Sequence, residues 1–285
     1  MRSRVSPIWH VDAFTDRPFA GNPAAVCLQD EFPSDRWMQQ VAAEMNLSET
    51  AFVVPRNQTN RFHLRWFTPK VEVELCGHAT LAAAHVLFEQ AVASGSNEIH
   101  FETLSGELAC GKEGDTICLD FPATPPQSVP DQDLAQRLSV ALGIAMPRPL
   151  LRSRFDLLVV AEDEHLVRAL SPHFDKLAEI DARGVIVTAP SNDPEIDFVS
   201  RYFAPQSGIN EDPVTGSAHC CLAPLWSKEL GRRKITGYQA SERGGTVGCE
   251  VMGDRVKLAG EAVTVLSGQL CVEAPRQEPK EAEES

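Results

Sequence analysis

Arg65-Trp66-Phe67-Thr68-Pro69, running on to Cys76, and Arg201-Tyr202-Phe203-Ala204-Pro205, running on to Asp212, are two copies of one motif. Aligned without a gap, Phe62 falls on Phe198, Arg65 on Arg201, Phe67 on Phe203, Pro69 on Pro205, Cys76 on Asp212 and Ala82 on Ala218. Each copy reads as a strand, a polar loop and the start of an Ala-rich helix. A thiol and a carboxylate therefore hold equivalent places in two halves of the chain. Duplicated halves often build one site at their seam, and sites between domains are a common place for ligand pockets. The expectation is an enzyme.

Working outward, 285 residues allow one large domain or two ordinary ones, and the repeat decides for two, each long enough to bury a core. The expected division is 1–125 and 126–275, with a disordered Glu-rich tail over 276–285. A hydrophobic content of 43% with 23% charged residues is ordinary for a globular protein. The net charge of −14 leaves no basic field to neutralise phosphates, which excludes nucleic acid as a partner. Any bound anion must be held by local donors. Met1-Arg2-Ser3-Arg4 leads into polar and aromatic residues rather than an apolar run, and no stretch is apolar enough to span a membrane, so the expected location is cytoplasmic. The eight cysteines lack metal-type spacing, and most are expected to be buried, reduced thiols.

Residue patterns place strands at Trp9 to Thr15, Ala25 to Leu28, Thr50 to Val54 and Phe62 to Phe67, with a further pair at Glu98 to Glu102 and Thr116 to Asp120. Asp35 to Asn46 carries Trp37, Val41 and Met45 on one helical stripe. The segment Gly77 to Gln90 is apolar nearly all round, which predicts a buried central helix. A linker is expected over Thr124 to Pro130, followed by a helix near Asp131 to Leu142 and strands at Leu157 to Ala161, Val185 to Thr188 and Asp197 to Phe203. A second apolar helix runs from Gly216 to about Leu230, where Pro224 cannot donate to the carbonyl of Cys220 and should kink it. Gly-rich hairpin material closes the chain from Ile235 to Val272.

The chemistry concentrates at the ends of the two motif copies, Cys76-Gly77-His78-Ala79-Thr80 and Asp212-Pro213-Val214-Thr215-Gly216-Ser217. Both put small residues at a helix start, where unpaired N–H groups and the positive end of the dipole favour an anion such as a substrate carboxylate. Ordinary N-capping by Thr215 and Ser217 is the competing structural account. Glu49, in Leu47-Ser48-Glu49-Thr50-Ala51, sits at a turn; to act chemically it must take and return a proton near neutral pH. His78 is a candidate acid or carboxylate donor, whereas His85 and His219 read as packed or surface groups. Asn22, in Gly21-Asn22-Pro23, is either turn chemistry or an amide that anchors substrate. There is no P-loop, no G-x-G-x-x-G after a strand and no G-x-S-x-G, so no cofactor and no metal is expected and side chains alone must act.

Val11-Asp12-Ala13-Phe14-Thr15, Pro18 through Val26, Ser48-Glu49-Thr50-Ala51, Cys76 through Thr80 and Glu211 through His219 occur in this order. On these stretches the chain, up to about residue 272, resembles the PhzF family of phenazine-biosynthesis-like proteins, which share the diaminopimelate epimerase fold. The resemblance implies an α/β (α+β) protein of two pseudosymmetric halves, each a curved sheet or barrel around a central helix, and commonly a homodimer. It implies a cofactor-independent isomerase that moves a proton between carbons of a small carboxylate substrate. Glu49 matches the general acid/base, and His78, Asp212, Gly216 and Ser217 match pocket positions. Gly77 and Thr215 join Asn22 as candidate substrate-binding residues. In the parent fold two thiols face each other across the substrate; Cys76 keeps the first thiol position, and Asp212 replaces the second. Two-thiol racemisation is thereby disfavoured. The alternatives are an amino-acid epimerase or racemase using Cys76 with Asp212 or Glu49, and a non-catalytic small-molecule binding protein.

Overall fold

Alternation builds the strands and saturation builds the two long buried helices. In Arg61–Phe67, Phe62, Leu64 and Trp66 are buried while Arg61, His63 and Arg65 stay partly exposed, the period of two expected of a strand with one face on a core. The computed structural model describes residues 6–93, 95–145 and 148–275; the tail expected over 276–285 lies outside the described residues. The chain forms two compact units. The first holds the described residues up to Ala13, Pro23–Ile117 and those from Ala262 onward; the second holds Phe14–Asn22 and Cys118–Glu261.

In the first unit the elements run β1 (Ser6–Ala13), β2 (Asn22–Leu28), α1 (Asp35–Met45), β3 (Glu49–Pro55), β4 (Arg61–Phe67), β5 (Glu72–Val73), α2 (Gly77–Glu89), β6 (Glu98–Thr103) and β7 (Gly106–Glu113). β2 pairs parallel with β3, β3 antiparallel with β4, and β4 antiparallel with β5 and parallel with β6. α1 starts at Ser34, whose hydroxyl caps the Trp37 N–H, and stops at Asn46 in the left-handed region (φ 51). It buries Trp37, Met38, Val41 and Ala42. α2 is buried at His78 through Ala84 and again at Val86 and Leu87, and packs against β1 and β3. Expected boundaries shift by up to three residues, and β7 is a strand that the residue patterns did not place.

The chain goes on through β8 (Thr116–Pro122) to the second unit, which carries β9 (Gln127–Ser128), α3 (Gln132–Leu142), β10 (Leu151–Arg152), β11 (Asp156–Val160), α4 (Glu164–Ala169), α5 (Phe174–Ala178), β12 (Gly184–Pro190), β13 (Phe198–Ala204), β14 (Ile209–Asp212), α6 (Gly216–Leu230), β15 (Lys234–Gln239), β16 (Gly245–Met252) and β17 (Arg255–Gly260). The pairing plan repeats: β11 parallel with β12, β12 antiparallel with β13, and β13 antiparallel with β14 and parallel with β15. β18 (Ala262–Leu270) then pairs antiparallel with β1 within the first unit. The motif repeats down to its contacts. Arg65 forks onto Glu72 with both bonds at 2.7 Å and lies 5.2 Å from the Phe67 ring. Arg201 forks onto Glu211, again with both bonds at 2.7 Å, and lies 5.0 Å from the Phe203 ring.

One expectation needs correction. The segment Thr124 to Pro130 is part of the second unit rather than a free linker: β9 pairs with β10, and Val129 N–H donates to Leu150 O at 2.8 Å. α6 spans Gly216–Leu230 with Pro224 inside it, as expected, and the carbonyl of Cys220, which Pro224 cannot serve, accepts the Thr124 N–H at 3.0 Å. All eight cysteines are free, seven of them buried and Cys271 exposed. No helix among the described residues is long and apolar enough to cross a membrane.

Candidate active site

Glu49 is the first residue of β3, fixed by its parallel register with Ala24. Cys76 is the N-cap of α2, in extended geometry (φ −145), so Gly77 and His78 open the helix. These elements bring together three side chains that the sequence keeps apart. His78 Nε2 lies 3.1 Å from Glu49 Oε2, and His78 Nδ1 lies 3.5 Å from Cys76 Sγ. The imidazole thus stands between a carboxylate and a thiol, with His78 and Glu49 side chains only 6% and 14% exposed.

Burial pushes the Cys76 thiol up to about 11, and the Glu49 charge adds to it. Burial alone would lower His78, but its contacts with Cys76 and Glu49 outweigh burial and hold the imidazole well above its ordinary value. Since the thiol stays protonated at neutral pH, Glu49 is the partner that sustains the imidazolium there. The His78 contribution to stability is fully present below the ordinary histidine value and is lost as pH rises through the raised one. Glu49, Cys76 and His78 also bring metal-ligand atoms within 4.8 Å of one another. Cys76 and Glu49 meet different ring nitrogens, however, so an ion on either nitrogen would displace the contact made there.

The second unit gathers the other candidates. Asp212 closes β14 and accepts from Asn22 Nδ2 at 2.9 Å through Oδ1 and from the Thr215 hydroxyl through Oδ2. Asn22 Nδ2 also donates to Val214 O at 2.9 Å, so both of its amide hydrogens are committed to the loop that carries Asp212. Thr215 is the N-cap of α6, yet its hydroxyl serves Asp212 rather than the helix. Gly216 and Ser217 form the first turn of α6.

Sequence reasoning missed Gln239. It is fully buried, accepts from Thr215 N at 2.9 Å, and donates to Asp212 O at 2.7 Å. It also missed Arg183, whose Nη2 reaches Ser217 Oγ at 3.1 Å. A glutamine in a hairpin strand and an arginine before a strand carry no local signal; only the fold brings them to this loop. A separate cleft is lined by Pro122, Thr124, Arg152 and Arg154 and holds none of the predicted site residues.

His219 is a packed residue, as its sequence context suggested. It contacts Thr215 O through Nδ1 at 2.9 Å, lies against the Phe198 ring at 5.9 Å, and is pushed down to about 4 by burial. It is therefore neutral when folded and donates from Nδ1. The unfolded chain binds the extra proton first on acidification, so this group costs about 3 kcal/mol of stability between pH 6.5 and 4. The His219→Asn variant is expected to lose that increment of acid sensitivity. Urea midpoints for both proteins across this range check it, and parallel pH profiles would remove His219 as the cause.

The sequence matches the PhzC-PhzF family, described as phenazine biosynthesis-like proteins, over residues 11–268. The chain belongs to this family. It is 49% identical to an uncharacterized isomerase of Halalkalibacterium halodurans over 266 residues, covering 93% of this chain and 98% of the relative. The crystal structure of a PhzF-family protein from Enterococcus faecalis superposes with a TM-score of 0.88 at 42% identity, covering 94% of this chain and all of that one. A probable proline racemase from Agrobacterium radiobacter, 10% identical, superposes with a TM-score of 0.61 over 94% of this chain and 93% of that one and so shares the fold. The expected epimerase-like α/β class holds, and the protein is an isomerase by class.

Proposed function

We propose that this protein is a cofactor-independent isomerase that shifts a proton between carbons of a small carboxylate-bearing substrate, with Glu49 as the group that carries the proton. The observation that supports it most is the buried contact between Glu49 and His78. A carboxylate held beside an imidazolium is a base with a positive charge next to it, which offsets the negative charge that develops on proton abstraction next to a conjugated carboxylate. Glu49 takes the C–H proton, and the electron pair delocalises into the substrate's conjugated system. The positive charge of His78, beside Glu49, stabilises the anion electrostatically. Protonated Glu49 then returns the proton to a different carbon, so atoms and charge balance over the cycle.

Racemisation with Cys76 as base is the weaker reading, because a thiol raised to about 11 supplies little thiolate near neutral pH. We assign Asp212, ordered by Asn22 and Thr215, to substrate recognition. A homodimer is the assembly we expect, with sedimentation velocity as its check.

The test is NMR-detected deuterium exchange in D₂O over a panel of small unsaturated and α-amino carboxylic acids. Migration of hydrogen between carbons supports isomerisation, and inversion with deuterium entering at a stereocentre supports epimerisation. Silence across the panel alongside measurable binding would turn the assignment to a binding protein. In the same assay Asp212→Asn is expected to lower kcat/KM by about 10- to 100-fold, the scale of losing a charged group that orders substrate. An unchanged value would remove Asp212 from the reaction.

A further inference from the structure

In the second unit a buried carboxylate holds a guanidinium against the first turn of α6. Asp156 opens β11, in parallel register with Gly184 of β12, and its side chain is 1% exposed. Gly184 must lack a side chain, because a Cβ there would collide with the ring and hydroxyl of Tyr202. Tyr202 therefore lies over Gly184 and donates its hydroxyl to Asp156 Oδ1 at 3.0 Å. Burial and the Asp156 charge raise the Tyr202 phenol above its ordinary value, so it remains a donor.

Asp156 also accepts from Arg183 Nε at 2.9 Å and from Arg183 Nη2 at 2.5 Å. Phe155 covers the guanidinium, with its ring centre 4.7 Å from Arg183 Cζ. The fork and the ring together fix the guanidinium plane. Its Nη2 has one hydrogen beyond the fork, which goes to Ser217 Oγ at 3.1 Å.

A guanidinium only donates, so Ser217 Oγ must accept in this contact. The Ser217 O–H is then directed elsewhere, and among the described residues no protein acceptor takes it. We propose that Arg183 is a positioning residue that commits the Ser217 hydroxyl to donate to a substrate carboxylate. This rests on the reading of the protein as an isomerase of carboxylates and names how the carboxylate is recognised. An ion pair serving stability alone would need only the Asp156 fork; the further bond to Ser217 is what the recognition role accounts for.

The test uses the intact ¹⁵N-labelled protein, titrated with acetate, fumarate and benzoate and, in parallel, with their primary amides. A carboxylate, and not its amide, is expected to shift the Ser217 amide resonance to saturation. Arg183→Met is expected to weaken that binding by about 10-fold, the scale of a lost charge-assisted bond. Arg183→Lys, which keeps the charge and loses the fork, should fall between. Ser217→Ala should weaken binding similarly, and adding Arg183→Met to Ser217→Ala should cost little more, a non-additivity that a purely structural arginine would not produce.

Additive losses, wild-type affinity in Arg183→Met, or a Ser217 resonance that ignores every carboxylate would overturn the proposal. Glu49→Gln separates this from the broader reading. Loss of its turnover with carboxylate binding intact supports both. Normal turnover in that variant sinks the proton-transfer reading and leaves the Arg183 result to stand on the titration.

Discussion

Glu49→Gln is expected to lower turnover by about 10³-fold while leaving the fold in place, the middle of the range for a positioned acid/base group. Glutamine keeps the volume and leaves a neutral polar group at the 3.1 Å position beside His78. It cannot take a proton. It also removes one of the two contacts that raise His78, beside Cys76, so the imidazole is held less firmly cationic against burial. The base is therefore lost and the neighbouring positive charge weakened together. The loss should appear mainly in kcat, because the interaction acts on charge that develops as the proton leaves. Deuterium exchange rates beside a thermal unfolding curve make the measurement. Turnover within 10-fold of wild type would reject Glu49 as the proton carrier, and a collapsed thermal midpoint would call for Glu49→Ala as the second variant.

Much of this architecture was legible because its signals are local. The bounds of α6, Gly216 to Leu230, follow from a small-residue start, an apolar body and Gly231, which takes the left-handed conformation (φ 67) that ends the helix. The repeat showed through Arg65 and Arg201, which turn out to hold the same kind of carboxylate fork above the same kind of ring. What stayed hidden depends on the chain meeting itself. The Thr124 N–H that serves the Cys220 carbonyl sits on an unrelated segment, so the proline's effect could be foreseen and its compensation could not.

The candidate site divides in the same way. Glu49, Cys76 and His78 were named individually, but nothing in their spacing said that the imidazole would stand between the other two. Asn22 was weighed as a substrate anchor, and the fold commits its amide hydrogens to Asp212 and Val214 O. Gln239 and Arg183 gave no sign, because each owes its place to strand register rather than to its own neighbours in sequence.

Register also makes the Asp212 loop fragile, and Gly245→Ala is the substitution expected to expose this. Gly245 opens β16 where the Phe14–Asn22 stretch passes it. A Cβ at this position would collide with Val214 Cγ2 and lie 2.9 Å from Phe14 O. Neither neighbour yields easily. Phe14 O is backbone and accepts the Thr246 N–H at 3.1 Å, while its own residue already sits at φ 63, an uncommon conformation for a bulky side chain. Val214 is fully buried, and its carbonyl is one of the two acceptors of the Asn22 amide. Moving it pulls on the bond from Asn22 to Asp212 as well. The adjoining turn is equally committed, with Gly21 N–H on Gly244 O at 2.7 Å and Arg243 donating to Gly21 O and Ala20 O.

Overpacking at such a point costs about 1–3 kcal/mol, and the backbone contact puts Gly245→Ala at the top of that range. Because the strain passes through Val214, kcat/KM should fall along with stability, by an amount comparable to Asp212→Asn. Gly268→Ala supplies the control: a Cβ there meets nothing within 4 Å, and its cost should stay within about 0.5 kcal/mol. Urea midpoints and turnover measured on the two alanine variants decide the matter. Equal, small effects at both positions would mean that the Asp212 loop tolerates displacement and that its order does not depend on the glycine at 245.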